Sequence, residues 1–152
     1  MHEDNAGVSG VRFAPNGGYV LAWTVDGCVR LWDHVGGGVK KTFQGHGRGW
    51  GEDGGEEGKR DWKERWFGAG TFGVYGEDGK DGGKRAFVVS GSERGELVVW
   101  DVRTKEILQR LKGHQEVVLG VDTQRGFKDR KPMMVSCSLD KTIRLYEEVD
   151  YV

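Results

Sequence analysis

The segment SGSERGELVVWDVRTKEILQRLKGH, residues 90–114, runs from a strand-like stretch into Trp100-Asp101 and reaches a Gly-His pair fourteen residues after the tryptophan. The earlier segment LWDHVGGGVKKTFQGH, residues 31–46, has the same spacing between Trp32 and its own Gly-His pair. When the two segments are superposed, seven positions match in kind, including the apolar residue before each tryptophan. An internal repeat of this kind determines the architecture more strongly than any single residue does.

The composition indicates many short strands. Glycine supplies 27 of the 152 residues and proline only two, whereas glycine is usually about 7% of a protein. The apolar residues form short alternating runs, which predict strands joined by tight turns and no helix. The net charge of -1, with no basic stripe, disfavours direct nucleic-acid binding. No stretch approaches the ~18 apolar residues of a membrane helix, and Cys28 and Cys137 are expected to be buried free thiols.

Three units repeat along the chain, and each has a turn between two strand-like segments. The units align on Asp26, Arg94 and Asp140. Six residues after each of these positions stands an aromatic residue, and four residues before it stands a small one. The aromatic residues are Trp32, Trp100 and Tyr146, and the small residues are Ala22, Ser90 and Ser136.

The repeat divides the chain into units at 1–46, 47–114 and 115–152. The middle unit is the longest because it contains two glycine-rich, charged stretches, residues 47–61 and 76–84. Such stretches cannot bury enough apolar surface to offset the entropy lost on ordering, so they predict loops. A docking insert is the functional alternative for either stretch.

The Gly-His, Ser-x-Ser-x-Asp and Trp-Asp motifs recur in register and resemble the WD-repeat family, whose repeats each form a four-stranded blade of a β-propeller. Residues 11–33, 87–114 and 138–146 further resemble the C-terminal blades of the WD-repeat subunit of COMPASS-type histone H3 lysine methyltransferase complexes. The resemblance implies an all-β fold, here an incomplete arc of about three blades whose last blade lacks its outer strand. We therefore expect a fragment, a truncated gene product, or an arc that needs partners to close.

The resemblance implies a buried hydrogen-bonded tetrad of His, Ser, Asp and Trp in each blade. Its members in this sequence are His46, Ser90 and Trp100 in the middle unit, where Arg94 replaces the aspartate, and His114, Ser136, Asp140 and Tyr146 in the third unit. The last set also contains the residue types of a hydrolase triad, but nothing marks a nucleophile elbow or an oxyanion hole. No spacing of histidines and cysteines fits a metal site.

Six residues fall on one face of the predicted arc, around the groove between adjacent blades, because they lie in equivalent turns and strand ends. The resemblance implies a cleft there that binds a short segment of another subunit. Its residues are Asn16, Tyr19, Leu31, Phe72, Val74 and Arg103. Packing between blades is the alternative for Leu31 and Val74, whereas Tyr19 and Phe72 favour a binding cleft. On the opposite face, Trp66, Phe67 and Ala69 match the remnant of an arginine-binding pocket.

The expected function is a non-enzymatic protein-interaction scaffold without a cofactor. The resemblance implies a nuclear location and partners among the protein subunits of a methyltransferase complex, with the histone H3 tail and the missing propeller blades as further partners. No membrane partner is expected. Two alternatives remain: a substrate receptor of a cullin-RING ubiquitin ligase, which would dock through the Trp-Asp-x-Arg box at Trp100–Arg103, or a non-functional truncated product.

Overall fold

The computed structural model describes residues 7–45, 70–75, 85–124 and 132–147. Within these ranges the chain forms eleven β-strands and no helix. The strands are β1 (Val8–Phe13), β2 (Tyr19–Thr24), β3 (Cys28–Asp33), β4 (Val39–Phe43), β5 (Gly70–Tyr75), β6 (Arg85–Gly91), β7 (Glu96–Asp101), β8 (Ile107–Lys112), β9 (Val118–Gln124), β10 (Met133–Ser138) and β11 (Ile143–Glu147).

The strands pair into three separate antiparallel sheets that follow the order of the chain. Sheet 1 has the order β1-β2-β3-β4, sheet 2 the order β5-β6-β7-β8, and sheet 3 the order β9-β10-β11. Successive strands are neighbours because short turns can join only antiparallel strands. The three unclosed sheets confirm the predicted all-β fold, an incomplete propeller arc of three blades.

Two apolar clusters hold neighbouring sheets together, because residues two apart along a strand share one face of the sheet. The first cluster lies between sheets 1 and 2, and its most deeply buried members include Leu21, Trp23, Val29, Phe43, Val88 and Trp100. The second lies between sheets 2 and 3 and contains Val89, Leu97, Val99, Val118 and Val121. A buried hydrogen bond from Trp23 Nε1 to Ser90 Oγ, 3.1 Å long, also joins sheet 1 to sheet 2.

The turn between the second and third strands has the same backbone conformation in all three sheets. Gly27, Gly95 and Lys141 occupy equivalent positions with φ of 81°, 75° and 68°. This left-handed region favours glycine, so Lys141 adopts it at an energetic cost. Steric crowding also requires glycine at position 95, because a Cβ atom on Gly95 would lie 2.2 Å from the carbonyl oxygen of His114.

The two cysteines differ in their surroundings. Cys28 is buried, as the sequence predicted, but Cys137 is exposed, so that part of the prediction is wrong. The reason is the position of the residue in the arc. Cys137 pairs with Ile143 on the outer face of sheet 3, and no other sheet of the described structure covers that face.

Several predictions fall on residues outside the described ranges. The two glycine-rich stretches, 47–61 and 76–84, lie there, and the unit boundaries at 46/47 and 114/115 remain predictions. The part of the chain that the structure describes has no helix that is long and apolar enough to cross a membrane.

Candidate functional site

A groove of about 920 Å³ runs between sheets 1 and 2. All six residues that the sequence assigned to a binding cleft line it: Asn16, Tyr19, Leu31, Phe72, Val74 and Arg103. They come from the β1–β2 turn, strands β2, β3 and β5, and the β7–β8 turn. Antiparallel pairing of consecutive strands brings these distant positions to one end of the two sheets.

The floor of the groove is apolar and continuous with the core. Leu31 and Phe72 belong to the buried cluster between sheets 1 and 2, and Tyr19 and Val102 pack against it while remaining partly accessible. Leu31 therefore has both of the roles considered for it, since it packs between the sheets and also lines the groove. Phe72, which was expected to be an exposed aromatic of the cleft, lines the groove but is buried in the same cluster. An accessible tyrosine ring beside aliphatic side chains is typical of sites that bind protein segments.

The rim of the groove is positively charged. Lys40, Lys41, Arg85 and Arg103 line it, with Asp101 as the acidic residue among the lining residues. The carboxylate of Asp101 accepts hydrogen bonds from the backbone amides of Arg103 and Thr104, at 2.7 and 2.8 Å, and so shapes the β7–β8 turn. An apolar floor with cationic edges suits a segment that combines aliphatic and acidic residues.

Sequence reasoning missed the lysines of β4, although a signal was available. The register pairs Lys41 with Leu31, and directly paired residues of antiparallel strands lie on the same face of a sheet. The Nζ atom of Lys41 donates to the carbonyl oxygens of Val102 and Arg103, at 2.5 and 2.8 Å. Lys41 thus links sheet 1 to the turn that carries Arg103.

A polar network centred on His114 braces sheet 3. Its Nδ1 atom lies 2.9 Å from Asp140 Oδ2 and 3.0 Å from Thr142 Oγ1, and its Nε2 atom lies 2.7 Å from Ser136 Oγ. A carboxylate can only accept, so in the neutral imidazole Nδ1 carries the proton and Nε2 accepts from the serine hydroxyl. The network fastens the segment after β8 to β10 and to the β10–β11 turn.

The network also shifts the pKa of Asp140. Burial alone raises this pKa, but hydrogen bonds from Thr142, the amide of Gln115 and His114 outweigh it and hold the pKa well below its ordinary value. The carboxylate is therefore ionised at neutral pH. The bond from Ser136 to the imidazole is also found in hydrolase triads, but Ser136 is buried, so its hydroxyl cannot meet a substrate.

The fourth member of this network differs from the prediction. The hydroxyl of Tyr146 is buried without a hydrogen-bond partner among the described residues, and Thr142 contributes to the network instead. The family has tryptophan at this position, and the phenol oxygen of tyrosine lies at the tip of a smaller ring, away from the place of the indole N–H. The ring of Tyr146 packs against the cluster between sheets 2 and 3.

In the middle unit, Ser90 and Trp100 both bond to sheet 1. Ser90 Oγ accepts from Trp23 Nε1, and Trp100 Nε1 donates to the carbonyl oxygen of Gln44 at 2.9 Å. His46, the predicted histidine of this tetrad, lies outside the described residues, as do Trp66, Phe67 and Ala69 of the predicted arginine pocket. Within the described ranges, no group of three or more His, Cys, Asp or Glu residues is arranged to hold a metal ion.

A further network in sheet 1 was not foreseen. Arg30 Nη2 donates to Asp26 Oδ2 at 2.7 Å, and Thr24 Oγ1 donates to Asp26 Oδ1 at 2.5 Å. Burial raises the pKa of Asp26, but the bonds from Arg30 and Thr24 outweigh it and lower the pKa overall. The network lies at the β2–β3 turn of sheet 1. This turn is equivalent to the β10–β11 turn of sheet 3, where Asp140 bonds to His114.

The sheets, turns and His114 network are those of a WD-repeat protein, and comparison with known families agrees. The family model for the WD domain, G-beta repeat, matches residues 1–33 and 105–147, and the chain belongs to this family. It is similar to the COMPASS component SWD3 of Saccharomyces cerevisiae, with 33% identity over 106 residues that cover 70% of this chain and 29% of SWD3. It is also similar to the nuclear distribution protein PAC1-1 of Uncinocarpus reesii, with 37% identity over 60 residues, 40% of this chain and 13% of that protein.

These matches confirm the family and support a protein-interaction role of the scaffold type. The matched region spans less than a third of the length of either relative.

Proposed function

We propose that the chain is a non-catalytic scaffold subunit of a COMPASS-type histone H3 lysine methyltransferase complex and acts in the nucleus. Its docking site is the groove between sheets 1 and 2, and the ligand of that groove is a short acidic–aliphatic segment of another subunit. The histone H3 tail is a further partner of the same complex. The similarity to SWD3, a COMPASS component, supports the choice of complex.

The observation that carries the proposal is the composition of the groove. Six residues chosen from the sequence, Arg103 among them, line one groove together with three further cationic side chains, and its floor contains accessible tyrosine and aliphatic surface. Acidic residues of a partner would meet Arg103, Arg85 and the lysines, while aliphatic residues would cover Tyr19. Such aromatic and arginine side chains dominate the binding energy of most protein interfaces.

The alternative of a ubiquitin-ligase receptor depends on the Trp-Asp-x-Arg box. Trp100 is fully buried between the sheets, and Asp101 is buried and holds the β7–β8 turn. Arg103 is the exposed residue among these three and also lines the groove. A ligase adaptor would therefore compete with the acidic–aliphatic segment for the same arginine.

Affinity capture of the tagged chain, followed by mass spectrometry, tests the proposal. We compare the wild type with Arg103→Glu, and we use Lys105→Glu as the control, because both variants reverse a charge in the same turn and Lys105 does not line the groove. Wild type and control should capture methyltransferase subunits, and Arg103→Glu should capture at least about tenfold less. Equal capture by both variants would exclude the groove, and capture of a cullin-RING adaptor instead would favour the alternative.

A further inference from the structure

The turn that carries Arg103 is held from two sides. From within sheet 2, the carboxylate of Asp101 accepts hydrogen bonds from the backbone amides of Arg103 and Thr104, at 2.7 and 2.8 Å. From sheet 1, the ammonium of Lys41 donates to the carbonyl oxygens of Val102 and Arg103, at 2.5 and 2.8 Å. Both backbone polar groups of Arg103 are therefore bonded, which fixes the direction in which its side chain leaves the backbone.

The bonds of Lys41 differ in kind from the others in this turn. The amide of Asp101 donates to the carbonyl oxygen of Glu106 at 3.0 Å, and the amide of Lys105 donates to that of Asp101 at 2.9 Å. These bonds and those of the Asp101 carboxylate join residues of sheet 2 to one another, so they shape the turn without fixing its distance from sheet 1. Lys41 supplies bonds between sheet 1 and the turn that contributes Arg103 to the groove.

The repeat itself does not require a lysine at this position. Lys41 and Gln109 stand nine residues after Trp32 and Trp100, and each pairs across its sheet with the apolar residue before that tryptophan. Gln109 is exposed, whereas Lys41 is half-buried. Because a glutamine is sufficient for the strand in sheet 2, the strand does not account for the ammonium group of Lys41.

We infer that Lys41 is a positioning residue of the groove and acts on the ligand through Arg103. The inference rests on the proposed function, because it concerns the same groove and the same acidic–aliphatic segment. A hydrogen bond from an ammonium group is shorter and about twice as strong as one between neutral groups, so two of them hold the turn firmly against sheet 1. A guanidinium group on a fixed backbone loses less freedom when it binds a carboxylate, and its affinity is higher for that reason.

A direct contact between Lys41 and the acidic segment is the alternative, and a double-mutant cycle separates the two. The probe is a synthetic peptide of acidic and aliphatic residues taken from a methyltransferase-complex subunit, and its Kd is measured by calorimetry. Lys41→Met removes the charge and keeps a long side chain. It should raise Kd at least about fivefold in the wild-type background but less than about twofold in an Arg103→Gln background. Equal fold-changes in the two backgrounds would show two independent contacts and overturn the inference.

Lys112→Met is the matched control for the loss of one positive charge. The side chain of Lys112 lies in β8, is 80% exposed and does not line the groove. This variant should change Kd by less than about twofold, because exposed charges away from a contact are screened by salt. A rise in Kd equal to that of Lys41→Met would reduce the effect to net charge and would also contradict the inference.

Amide exchange, followed by NMR without any ligand, tests the hold on the turn itself. Lys41→Met should speed the exchange of the Arg103 and Thr104 amides at least about tenfold, while the amides of Val88 and Val98, buried in sheet 2, should exchange as in the wild type. Unchanged exchange in the turn, or an equal increase in the core, would contradict the inference. A wild type that does not bind the peptide would count against the proposed function, whereas the exchange rates decide the role of Lys41 in either case.

Discussion

Replacing Ser136 with alanine removes one bond from the network that braces sheet 3. The two residues are buried, and Ser136 Oγ lies 2.7 Å from His114 Nε2. Alanine leaves Nε2 without a donor in a place that water does not reach, while Nδ1 keeps Asp140 and Thr142. A buried polar atom left unsatisfied costs about 1–3 kcal/mol, so we expect the free energy of unfolding to fall by about that amount.

Urea denaturation followed by tryptophan fluorescence measures this loss. All variants are compared at one protein concentration, because self-association changes apparent stability. Ser136→Thr keeps the hydroxyl and should lose less than the alanine variant. Ser9→Ala is the control, since Ser9 is exposed and its Oγ donates to the carbonyl oxygen of Trp23 at 3.3 Å, and it should change stability by no more than about 0.5 kcal/mol. A Ser136→Ala variant as stable as this control would refute the reasoning.

Further variants test the turns, the ionised carboxylate and the link between sheets. Gly95→Ala should destabilise the chain by about 1–3 kcal/mol and Lys141→Gly should stabilise it by about 1 kcal/mol, both read from urea denaturation, because each position has a positive φ. Because its pKa is lower in the folded than in the unfolded chain, Asp140 stabilises the fold above pH 3.8 and loses this effect as the pH falls further; Asp140→Asn should flatten the acid limb of the stability–pH curve. Trp23→Phe removes the bond to Ser90, and in a double-mutant cycle with Ser90→Ala the coupling should be about 0.5–1.5 kcal/mol.

The repeat made most of the fold predictable. The Trp-Asp and Gly-His pairs, which recur in register, indicated where the strands lie. The turn residues Asp26, Arg94 and Asp140 indicated the hairpins. Both predictions were possible because period-two alternation and turn chemistry are local signals. The grouping of the six groove residues followed from the alternating direction of successive strands. Each of these inferences needs only the order of strands in a blade, and that order is the same in every repeat.

Side-chain partners across sheets were less predictable. The bond from Trp100 to Gln44 and the bond from Trp23 to Ser90 depend on how closely two sheets approach, which no pattern within one repeat encodes. The exposure of Cys137 depends on whether another sheet covers its face, and its own strand contains no information on that point. The hydroxyl of Tyr146 lacks a partner among the described residues for a similar reason, since the length of the side chain determines which acceptor it can reach.

Calorimetric titration of the purified chain tests the central claim, that the groove between sheets 1 and 2 binds a partner segment. The ligand is a synthetic peptide of acidic and aliphatic residues taken from a methyltransferase-complex subunit. Tyr19→Ala should weaken binding by about 1–3 kcal/mol, or roughly 5- to 150-fold in Kd. The control Leu108→Ala truncates an exposed apolar side chain of β8 that does not line the groove, and it should bind like the wild type. Absence of binding by the wild type, or the same affinity in Tyr19→Ala as in the control, would contradict the claim.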